Sequence, residues 1–453
     1  MGKLFGTDGI RGPANIYPMT PEMAINIGRA AAWLSIKDGK SGKIIIGKDT
    51  RISSPMLEYA LASGICSVGG EAHLAGVLPT PAIAFLTSST NADAGIVISA
   101  SHNPYYDNGI KLFKHDGFKL SDKKEVEIET LALDTEKLVS VCQNIKNTGS
   151  VYHINQPEHK YIKFLKNSLP DNFNLKGMKI ILDCSNGAAS HAAPELFNEL
   201  GADTQALFTS PDGKNINKNC GSQHPEILIK KLQETGADIG LAFDGDADRL
   251  IAVDEKGSIV TGDQILVICA KYMKDQGILK NNMAVSTVMS NIGLGIALKK
   301  LGIKHLITDV GDRYVMQKMR TSGAVIGGED SGHMIFLAHH TTGDGILTGL
   351  QLLRAVKYFS KSLSELTKII DIFPQVLLNI NVADKPDIKD VPAIANAVKK
   401  VQQELGEQGR VLVRYSGTQP MCRVMVEGPT HEITQKYCRQ IADIVQESIG
   451  IKS

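Results

Sequence analysis

The sequence predicts an α/β protein of four domains, and three observations lead to this expectation. The chain has 453 residues, which is more than one hydrophobic core usually serves. Short β-branched runs alternate with amphipathic helical stretches, as in sheets covered by helices. This alternation occurs three times, each time ending in a polar turn, and a different pattern follows. We therefore expect three similar mixed α/β domains and a smaller C-terminal α+β domain, at 1–150, 151–256, 257–372 and 373–453.

The first domain is predicted from two apolar runs and one helix start. Ser53, Ser54 and Pro55 are typical of a helix start, because serine can cap the first turn and proline lacks the amide that would be unpaired there. The charged stretch at 123–150 has a weak periodicity and closes the domain. The predicted elements are a strand at 43–47, a helix from 53 to about 68 and a strand at 95–100.

The second and third domains repeat this order of strand, helix and strand. Gly257 marks a hairpin-like turn where one gives way to the other. The predicted elements are strands at 179–183, 238–243 and 250–253 with a helix at 192–200, and then strands at 284–288 and 305–308 with a helix ending near 301. The C-terminal domain is predicted from strands at 376–382 and 410–413, a helix at 394–405 and a turn at 414–418.

Composition excludes several classes of protein. The formal net charge of +1 gives no basic surface for nucleic acid or for an acidic membrane. Seven cysteines without a CxxC pair favour a reducing compartment over a disulfide framework. No secretory leader and no apolar run of 18 residues is evident. We therefore expect a cytoplasmic protein that binds neither nucleic acid nor membranes.

Three aspartates at alternate positions form the acidic loop at 244–249, between two apolar strands. The residues are Asp244, Asp246 and Asp248, followed by Arg249. Carboxylate oxygens in this pattern suit Mg²⁺, with a phosphate oxygen completing the site. The spacing also resembles an EF-hand, but Arg249 occupies the place that requires glycine. A solvated acidic turn is the remaining alternative.

Ser101 lies in the serine loop at 99–104, where an apolar strand ends. A serine at such a place is often a turn residue or a helix cap. No GxSxG motif surrounds Ser101 and no acid–histidine relay is evident, which argues against a triad hydrolase. A serine that carries a phosphoryl group needs charge neutralisation instead, from a divalent cation and nearby basic groups. The serine loop and the acidic loop together predict a metal-assisted phosphoserine site.

Three further segments carry candidate binding residues. The phosphate turn at 414–418 combines a guanidinium, hydroxyls and open backbone amides, which suit a phosphate dianion, or it is an ordinary hairpin. The sugar loop at 328–333 offers groups for sugar hydroxyls, or it is an ordinary polar turn. Arg11 lies in a flexible loop and faces either the phosphoserine or solvent. The GxG at 293–295 has neither a third glycine nor a ribose-binding acid, which disfavours dinucleotide binding.

Five motifs in this order, over the whole chain, resemble the α-D-phosphohexomutase superfamily. They are FGTDGIRG, ISASHNPYYDNGIKLF, DGDADR, GEDSGH and RYSGTQP. Segments 211–213, 215–217, 220–222 and 310–314 resemble the bacterial subfamily that acts on glucosamine phosphates. The resemblance implies four domains around a central cleft. It also implies an isomerase that interconverts glucosamine 6-phosphate and glucosamine 1-phosphate through a phosphoserine and a 1,6-bisphosphate, for synthesis of UDP-N-acetylglucosamine and cell-wall precursors.

The resemblance also implies a role for individual residues. Ser101 would be the phosphorylated serine, and the three aspartates would bind Mg²⁺ together with its phosphate. His102 and Arg249 would flank the phosphoserine, and Arg11 and Lys111 would lie near the proton transfer. Sugar hydroxyls would be held by Glu329, Ser331 and His333, and the phosphate that is not transferred by Arg414, Ser416, Gly417, Thr418 and Arg423. A hexose or hexosamine 1,6-bisphosphate would be the activating intermediate, and the chain would be a monomer or a homodimer.

Three positions depart from the pattern of the superfamily. Gln419 replaces a common glutamate, and Asp330 stands where the subfamily often has glutamine, facing either the substrate ammonium or solvent. Ala247 replaces a frequent glycine, which is tolerated if its φ is below zero.

The alternative functions are a phosphoglucomutase or phosphomannomutase of the same superfamily, a Mg²⁺-dependent sugar phosphatase, and a phosphosugar-binding protein without turnover.

Overall fold

The computed structural model describes residues 4–6, 8–143, 147–416 and 420–451. Helices alternate with strands in four separate sheets, which confirms the predicted α/β class. The chain divides into two compact units: the larger comprises Met1–Met289 and Ile303–Lys368, and the smaller comprises Ser290–Gly302 and Ile369–Ser453. Among the helices described, none combines the length and the apolar character needed to cross a membrane.

The first sheet has six strands in the order β1-β5-β4-β2-β3-β6. The strands are β1 (Ile10–Pro13), β2 (Lys43–Lys48), β3 (Glu71–Val77), β4 (Ala94–Ile98), β5 (Asp107–Lys114) and β6 (Val151–His153). Strands β2, β3, β4 and β6 run parallel, whereas β1 and β5 pair antiparallel with their neighbours. The helices of this part are α1 (Pro21–Lys37), α2 (Ser54–Ser67), α3 (Thr80–Ser89), α4 (Asp122–Leu133) and α5 (Thr135–Gln143).

Details of the first sheet differ from the sequence-based expectation. The strand predicted at 95–100 ends at Ile98, so that the residues before Ser101 already belong to the loop. The helix predicted from 53 forms, but Ser53 does not cap it: its hydroxyl accepts a hydrogen bond from Asn108 Nδ2 at 2.8 Å. The weakly periodic stretch after 122 holds helices α4 and α5.

The second sheet has five strands in the order β11-β10-β9-β7-β8. The strands are β7 (Lys179–Asp183), β8 (Asp203–Leu207), β9 (Ile239–Phe243), β10 (Leu250–Asp254) and β11 (Ile259–Val260), and the helices are α6 (Pro157–Lys166), α7 (Ala192–Glu199) and α8 (Glu226–Thr235). Strands β9 and β10 pair antiparallel, with Phe243 opposite Leu250. The acidic loop is therefore the connection of a hairpin with buried strands. Gly257, with a φ of +87°, forms the predicted turn between β10 and β11.

The third sheet has the order β13-β12-β14-β15. The elements are β12 (Met283–Thr287), β13 (Lys304–Thr308), β14 (Ile326–Gly328) and β15 (Met334–Phe336), with helices α9 (Gly262–Asp275), α11 (Asp312–Ser322), α12 (Gly345–Phe359) and α13 (Leu363–Leu366). Helix α10 (Ile292–Lys300) belongs to the smaller unit. Gly328 pairs with Met334 across β14 and β15, so the sugar loop connects two antiparallel strands.

The smaller unit has a three-stranded antiparallel sheet in the order β16-β18-β17, which confirms the smaller C-terminal domain. The strands are β16 (Gln375–Asn381), β17 (Arg410–Tyr415) and β18 (Met421–Glu427), and the helices besides α10 are α14 (Pro392–Leu405) and α15 (His431–Ile449). Helices α14 and α15 bury Val401 and Ile441 against the sheet. The sequence analysis predicted β16, β17 and α14 but neither β18 nor α15.

Candidate active site

Ser101 is buried at the carboxyl end of β4 and faces the acidic loop. Its hydroxyl donates a hydrogen bond to Asp244 Oδ2 at 2.6 Å and lies 3.2 Å from His102 Nδ1. Its φ is +54°, in the left-handed region that few residues other than glycine adopt. The structure thus brings together the predicted serine, its neighbouring histidine and the first predicted metal ligand.

The three aspartates of the acidic loop converge on one point. They are buried, and one carboxylate oxygen from each lies within 4.8 Å of the others. The backbone amide of Arg249 donates to Asp244 Oδ1 at 3.1 Å, and Thr80 donates to Asp246 Oδ2 at 2.6 Å. Thr80 was not predicted, because a threonine at a helix start is an ordinary residue in sequence.

Ala247 contradicts the condition under which the sequence analysis accepted it. Its φ is +56° rather than below zero, because the short connection between β9 and β10 turns through the left-handed region at this residue. An L-residue in that conformation costs about 1–2 kcal/mol. The acidic loop therefore holds an alanine where glycine would be unstrained.

The acidic loop fits a divalent cation. Burial, followed by the charges of Asp248 and Asp246, raises the pKa of Asp244 well above its usual range. Asp246 Oδ1 is buried and has no hydrogen-bond partner among the residues that the structure describes. A buried carboxyl whose pKa is raised beside two other carboxylates, with an unpaired carboxylate oxygen close by, is suited to a hard cation with oxygen ligands.

Lys111 lies within hydrogen-bonding or ion-pair distance of three carboxylates. Its ammonium is 2.9 Å from Asp246, 3.3 Å from Asp248 and 3.3 Å from Asp8, and its side chain is 2% exposed. Burial alone would lower the pKa of Lys111, but the carboxylates, Asp246 first, raise it well above its usual range. Lys111 is therefore a buried cation among the carboxylates of the predicted site.

Charged residues continue from Lys111 to the start of helix α11 and to the sugar loop. Asp8 pairs with Lys119, and Lys119 pairs with Asp312. The imidazole of His333 lies 3.6 Å from Asp312 and 3.5 Å from Asp248. His333 therefore connects this group of charged residues to the acidic loop. Asp8 and Asp312 lie in motifs that carried the resemblance but had no assigned role, and Lys119 had no signal in the sequence.

Arg11 lies in strand β1, and the expectation of a flexible loop is wrong. It pairs with Gly109 of β5, which fixes its backbone. Its guanidinium forms an ion pair with Asp8 and lies 3.5 Å from the carbonyl oxygen of Ala100, just before Ser101. Strand pairing therefore directs Arg11 towards the serine loop, and the alternative of a solvent-facing residue is not favoured.

The residues of the sugar loop have different environments. His333 is buried beside Asp248, whereas Ser331 is exposed. Glu329 Oε1 accepts a hydrogen bond from the backbone of Gly311 at 3.0 Å. Asp330 Oδ1 accepts one from the backbone of Asp263 at 3.3 Å. His333 thus joins the acidic loop, while Glu329 holds the segment that follows β13.

The predicted phosphate turn belongs to the smaller unit. Arg414 and Arg423 lie directly opposite each other on β17 and β18. Burial and the charge of Arg423 lower the pKa of Arg414. Lys385, which was not predicted, donates from Nζ to the carbonyl oxygen of Ser416 at 2.8 Å. Two facing arginines and a nearby lysine suit an anion. The predicted Gly417 and Thr418, and the noted Gln419, lie outside the described residues.

Comparison with known proteins identifies the family. Sequence profiles for the phosphoglucomutase/phosphomannomutase domains match along the chain: alpha/beta/alpha domain I at 2–138, domain II at 159–257, domain III at 261–373 and the C-terminal domain at 377–444. The chain belongs to the phosphoglucomutase/phosphomannomutase family. The serine loop lies in domain I, the acidic loop in domain II and the sugar loop in domain III of this family.

Relatives of this family are similar over the full length. Phosphoglucosamine mutases of Syntrophus aciditrophicus (strain SB) and Syntrophobacter fumaroxidans (strain DSM 10017 / MPOB) are each 58% identical over 450 residues, which cover 99% of this chain and 100% of theirs. A phosphoglucomutase/phosphomannomutase family protein of Burkholderia thailandensis has a similar crystal structure, with a TM-score of 0.79 and 25% identity, covering 98% of this chain and 96% of that one. The fold is also that of the Aspergillus fumigatus N-acetylphosphoglucosamine mutase solved with GlcNAc-6P and magnesium, with a TM-score of 0.71 and 18% identity, covering 98% of this chain and 96% of that one.

Proposed function

We propose that this chain is a phosphoglucosamine mutase, an isomerase that interconverts glucosamine 6-phosphate and glucosamine 1-phosphate. The observation that carries the proposal is the hydroxyl of Ser101, buried and 2.6 Å from Asp244 within the group of three aspartates. Lys111 adds a buried cation beside the same group. The choice of glucosamine among the sugars is supported by full-length similarity to relatives of that name.

In the proposed reaction, phosphorylated Ser101 transfers its phosphoryl group to O1 of glucosamine 6-phosphate. The bond between Oγ and phosphorus breaks as the bond between O1 and phosphorus forms; O1 loses its proton and the released Oγ takes up a proton, which gives the 1,6-bisphosphate. This intermediate reorients and returns its 6-phosphoryl group to Ser101, and glucosamine 1-phosphate leaves. Phosphoryl transfer depends mainly on positioning and on neutralising charge, and the site is built for both.

The side chains around Ser101 divide this work. Burial, Arg249 and Arg11 lower the pKa of His102 to about 4, so its imidazole is neutral at pH 7, and its Nδ1 lies within hydrogen-bonding distance of the Ser101 hydroxyl. The ammonium of Lys111 neutralises negative charge on the phosphoryl group. A divalent cation on the three aspartates, Mg²⁺ in this proposal, would supply further charge neutralisation when bound.

Substrate binding is assigned to the sugar loop and the phosphate turn. Glu329, Ser331 and His333 would bind sugar hydroxyls, and the facing Arg414 and Arg423 would bind the phosphate that is not transferred. Both phosphates of the intermediate must be accepted in turn, so the phosphate turn has to release and rebind its ligand. We also propose that the enzyme is cytoplasmic, because cysteines without a CxxC pair suit a reducing compartment. The enzyme is proposed to be a monomer or a homodimer.

The experiment compares turnover of the 6-phosphates of glucosamine, glucose and mannose by the purified protein, with Mg²⁺ and a hexose 1,6-bisphosphate as activator. Mass spectrometry locates the phosphate. We expect turnover of glucosamine 6-phosphate, phosphate on Ser101, and loss of both in Ser101→Ala. Turnover of glucose 6-phosphate or mannose 6-phosphate alone would contradict the assignment of glucosamine as the sugar. Release of inorganic phosphate without isomerisation would indicate a phosphatase. An active Ser101→Ala enzyme would exclude the phosphoserine mechanism.

A further inference from the structure

Arg51 lies beneath the serine loop and donates hydrogen bonds to its backbone. Its guanidinium, which is fully buried, donates to the carbonyl oxygens of Ser101 at 2.9 Å, Asn103 at 2.8 Å and Asp107 at 3.0 Å, and to that of Pro104. One side chain thus holds three carbonyls of the serine loop and one at the start of β5. Buried carbonyls without donors are costly, so the guanidinium and the loop conformation depend on each other.

Asp49 fixes the guanidinium and joins it to the amide of Ser101. Asp49 Oδ2 accepts from Arg51 Nε at 2.8 Å and from the hydroxyl of Ser99 at 2.7 Å. The same hydroxyl accepts from the backbone amide of Ser101 at 2.9 Å. Both polar groups of the Ser101 backbone are therefore held, directly or through Ser99, by the buried pair of Asp49 and Arg51.

Asn217 contacts the same loop from the second sheet's side of the molecule. Its Nδ2 donates to the carbonyl oxygens of Ser101 at 2.9 Å and Asn103 at 3.0 Å, two of the four that Arg51 also binds. Gly245 of the acidic loop packs closely against the same carbonyl: a Cβ on residue 245 would lie 2.7 Å from the carbonyl oxygen of Ser101. Two side-chain donors thus hold the serine loop. Arg51 comes from the part of the chain that contains Ser101, and Asn217 comes from the part that contains the three aspartates of the acidic loop.

This support is needed because Ser101 adopts a backbone conformation that is unfavourable for a serine. Its φ of +54° costs on the order of 1–2 kcal/mol, and such conformations persist where the surroundings over-determine them. A relaxed loop would move Oγ away from Asp244. A displacement of about 1 Å at a reacting group can cost about 10²-fold in rate.

We propose that Arg51 and Asn217 are positioning residues, which hold the serine loop so that Oγ of Ser101 stays aligned with the acidic loop and its metal ligands. The proposal rests on the proposed phosphoserine function and adds to it the residues that set the transfer rate. In the described contacts, neither side chain touches the three aspartates of the acidic loop or the predicted sugar-binding groups. Their loss should therefore lower kcat and leave KM for the phosphosugar unchanged.

Asn217→Gly is the sharpest test, because Asn217 has a φ of +58° and glycine keeps this backbone while removing the amide donor. Asn219→Gly is the matched control: Asn219 is exposed, lies two residues further on and has a φ of +53°. Arg51→Lys keeps the charge but loses the forked donor geometry. Its control is Arg354→Lys, where a partly buried arginine donates to the carbonyl oxygen of Ser168.

The readouts are the phosphorylated fraction of Ser101, kcat and KM for glucosamine 6-phosphate, and the single-turnover transfer rate of fully phosphorylated enzyme. We expect kcat and the transfer rate to fall about 10-fold in Asn217→Gly and about 10²-fold in Arg51→Lys. KM should stay within twofold, and both controls should match wild type. If Arg51→Lys does not fold, Asn217→Gly decides alone.

Two results would overturn the positioning role: a transfer rate in Asn217→Gly equal to that of its control, or a rise in KM with an unchanged kcat. Wild type is measured in the same series. A wild-type protein without phosphoserine and without turnover would overturn the proposed function as well. An active wild type beside variants that behave like their controls would overturn the positioning role alone.

Discussion

Replacing Lys111 with methionine tests the centre of the proposed site. The substitution keeps the length and apolar stem of the side chain and removes one buried positive charge. Three carboxylates, from Asp8, Asp246 and Asp248, then lose an ammonium that lies within 3.3 Å. Because Lys111 is 2% exposed, water cannot replace it freely.

The size of the effect follows from the partners that remain. Breaking a buried ion pair costs about 3–5 kcal/mol when the other charge is left unpaired. Asp8 keeps Lys119 as a cationic neighbour, and Asp248 keeps Arg249. The remaining side-chain partner described for Asp246 is the hydroxyl of Thr80. We therefore take the lower end, about 3 kcal/mol, which corresponds to a Tm lower by roughly 6–12 °C at the 2–4 °C per kcal/mol of domains of 150–250 residues.

A divalent cation should offset much of this loss, because it neutralises the same aspartates. The assay is thermal unfolding of wild type and Lys111→Met, each in EDTA and in excess Mg²⁺. Mg²⁺ should raise the Tm of the variant more than that of wild type, while turnover of the variant stays low. Lys114→Met is the matched control, since Lys114 lies on the same strand with its side chain 30% exposed, and its Tm should change little. Equal protection by Mg²⁺, or a variant as stable as wild type in EDTA, would refute this account.

Three further predictions concern pH, backbone strain and the phosphate turn. Burial raises the pKa of Asp344 to about 7, against about 3.9 in an unfolded chain, so the folded state holds the proton more tightly and stability falls as pH rises from about 4 to about 7. The free energy of unfolding of Asp344→Asn lacks this pH dependence, so its value relative to wild type should increase by up to about 4 kcal/mol from pH 4 to pH 8, measured with urea. A difference between the two proteins that stays constant with pH would contradict this prediction. Ala247→Gly should raise that free energy by about 0.5 kcal/mol, because relief of the positive φ exceeds the entropy cost of glycine, and a lower urea midpoint would argue otherwise. Arg414→Gln should raise KM for the phosphosugar about 10-fold or more, because a charged hydrogen bond to the phosphate, of about 1.5–3 kcal/mol, is lost. Tm should not fall, because the substitution also relieves the repulsion between Arg414 and Arg423. An unchanged KM would exclude Arg414 from the phosphate-binding site.

Much of the site could be predicted from the sequence, because its motifs follow strand ends. Asp244, Asp246 and Asp248 come between two apolar strands, and their alternate spacing is enough to predict a cation site. Ser101 was predicted from a strand end together with the resemblance of its loop. Residues that act through long-range contacts gave no such signal: Lys119 lies 111 residues from Asp8 along the chain.

The backbone conformations of the site also needed the tertiary structure. The sequence analysis placed Arg11 in a loop and expected a negative φ at Ala247, but strand pairing with β5 decided the first and the short hairpin connection decided the second. Gly109, the partner of Arg11 in β5, lies far from Arg11 along the chain, so local patterns could not show that pairing.

The sequence by itself determined the α/β class, the smaller C-terminal domain and the chemistry of the predicted loops, because periodicity and residue type are local properties. Only the tertiary structure decided which charges meet. Lys111 faces three carboxylates, and Arg51 lies beneath the serine loop, because the sheet brings β2, β4 and β5 side by side. Burial at those meeting points then sets the pKa of each group and the strength of each ion pair, and burial is a property of the folded chain.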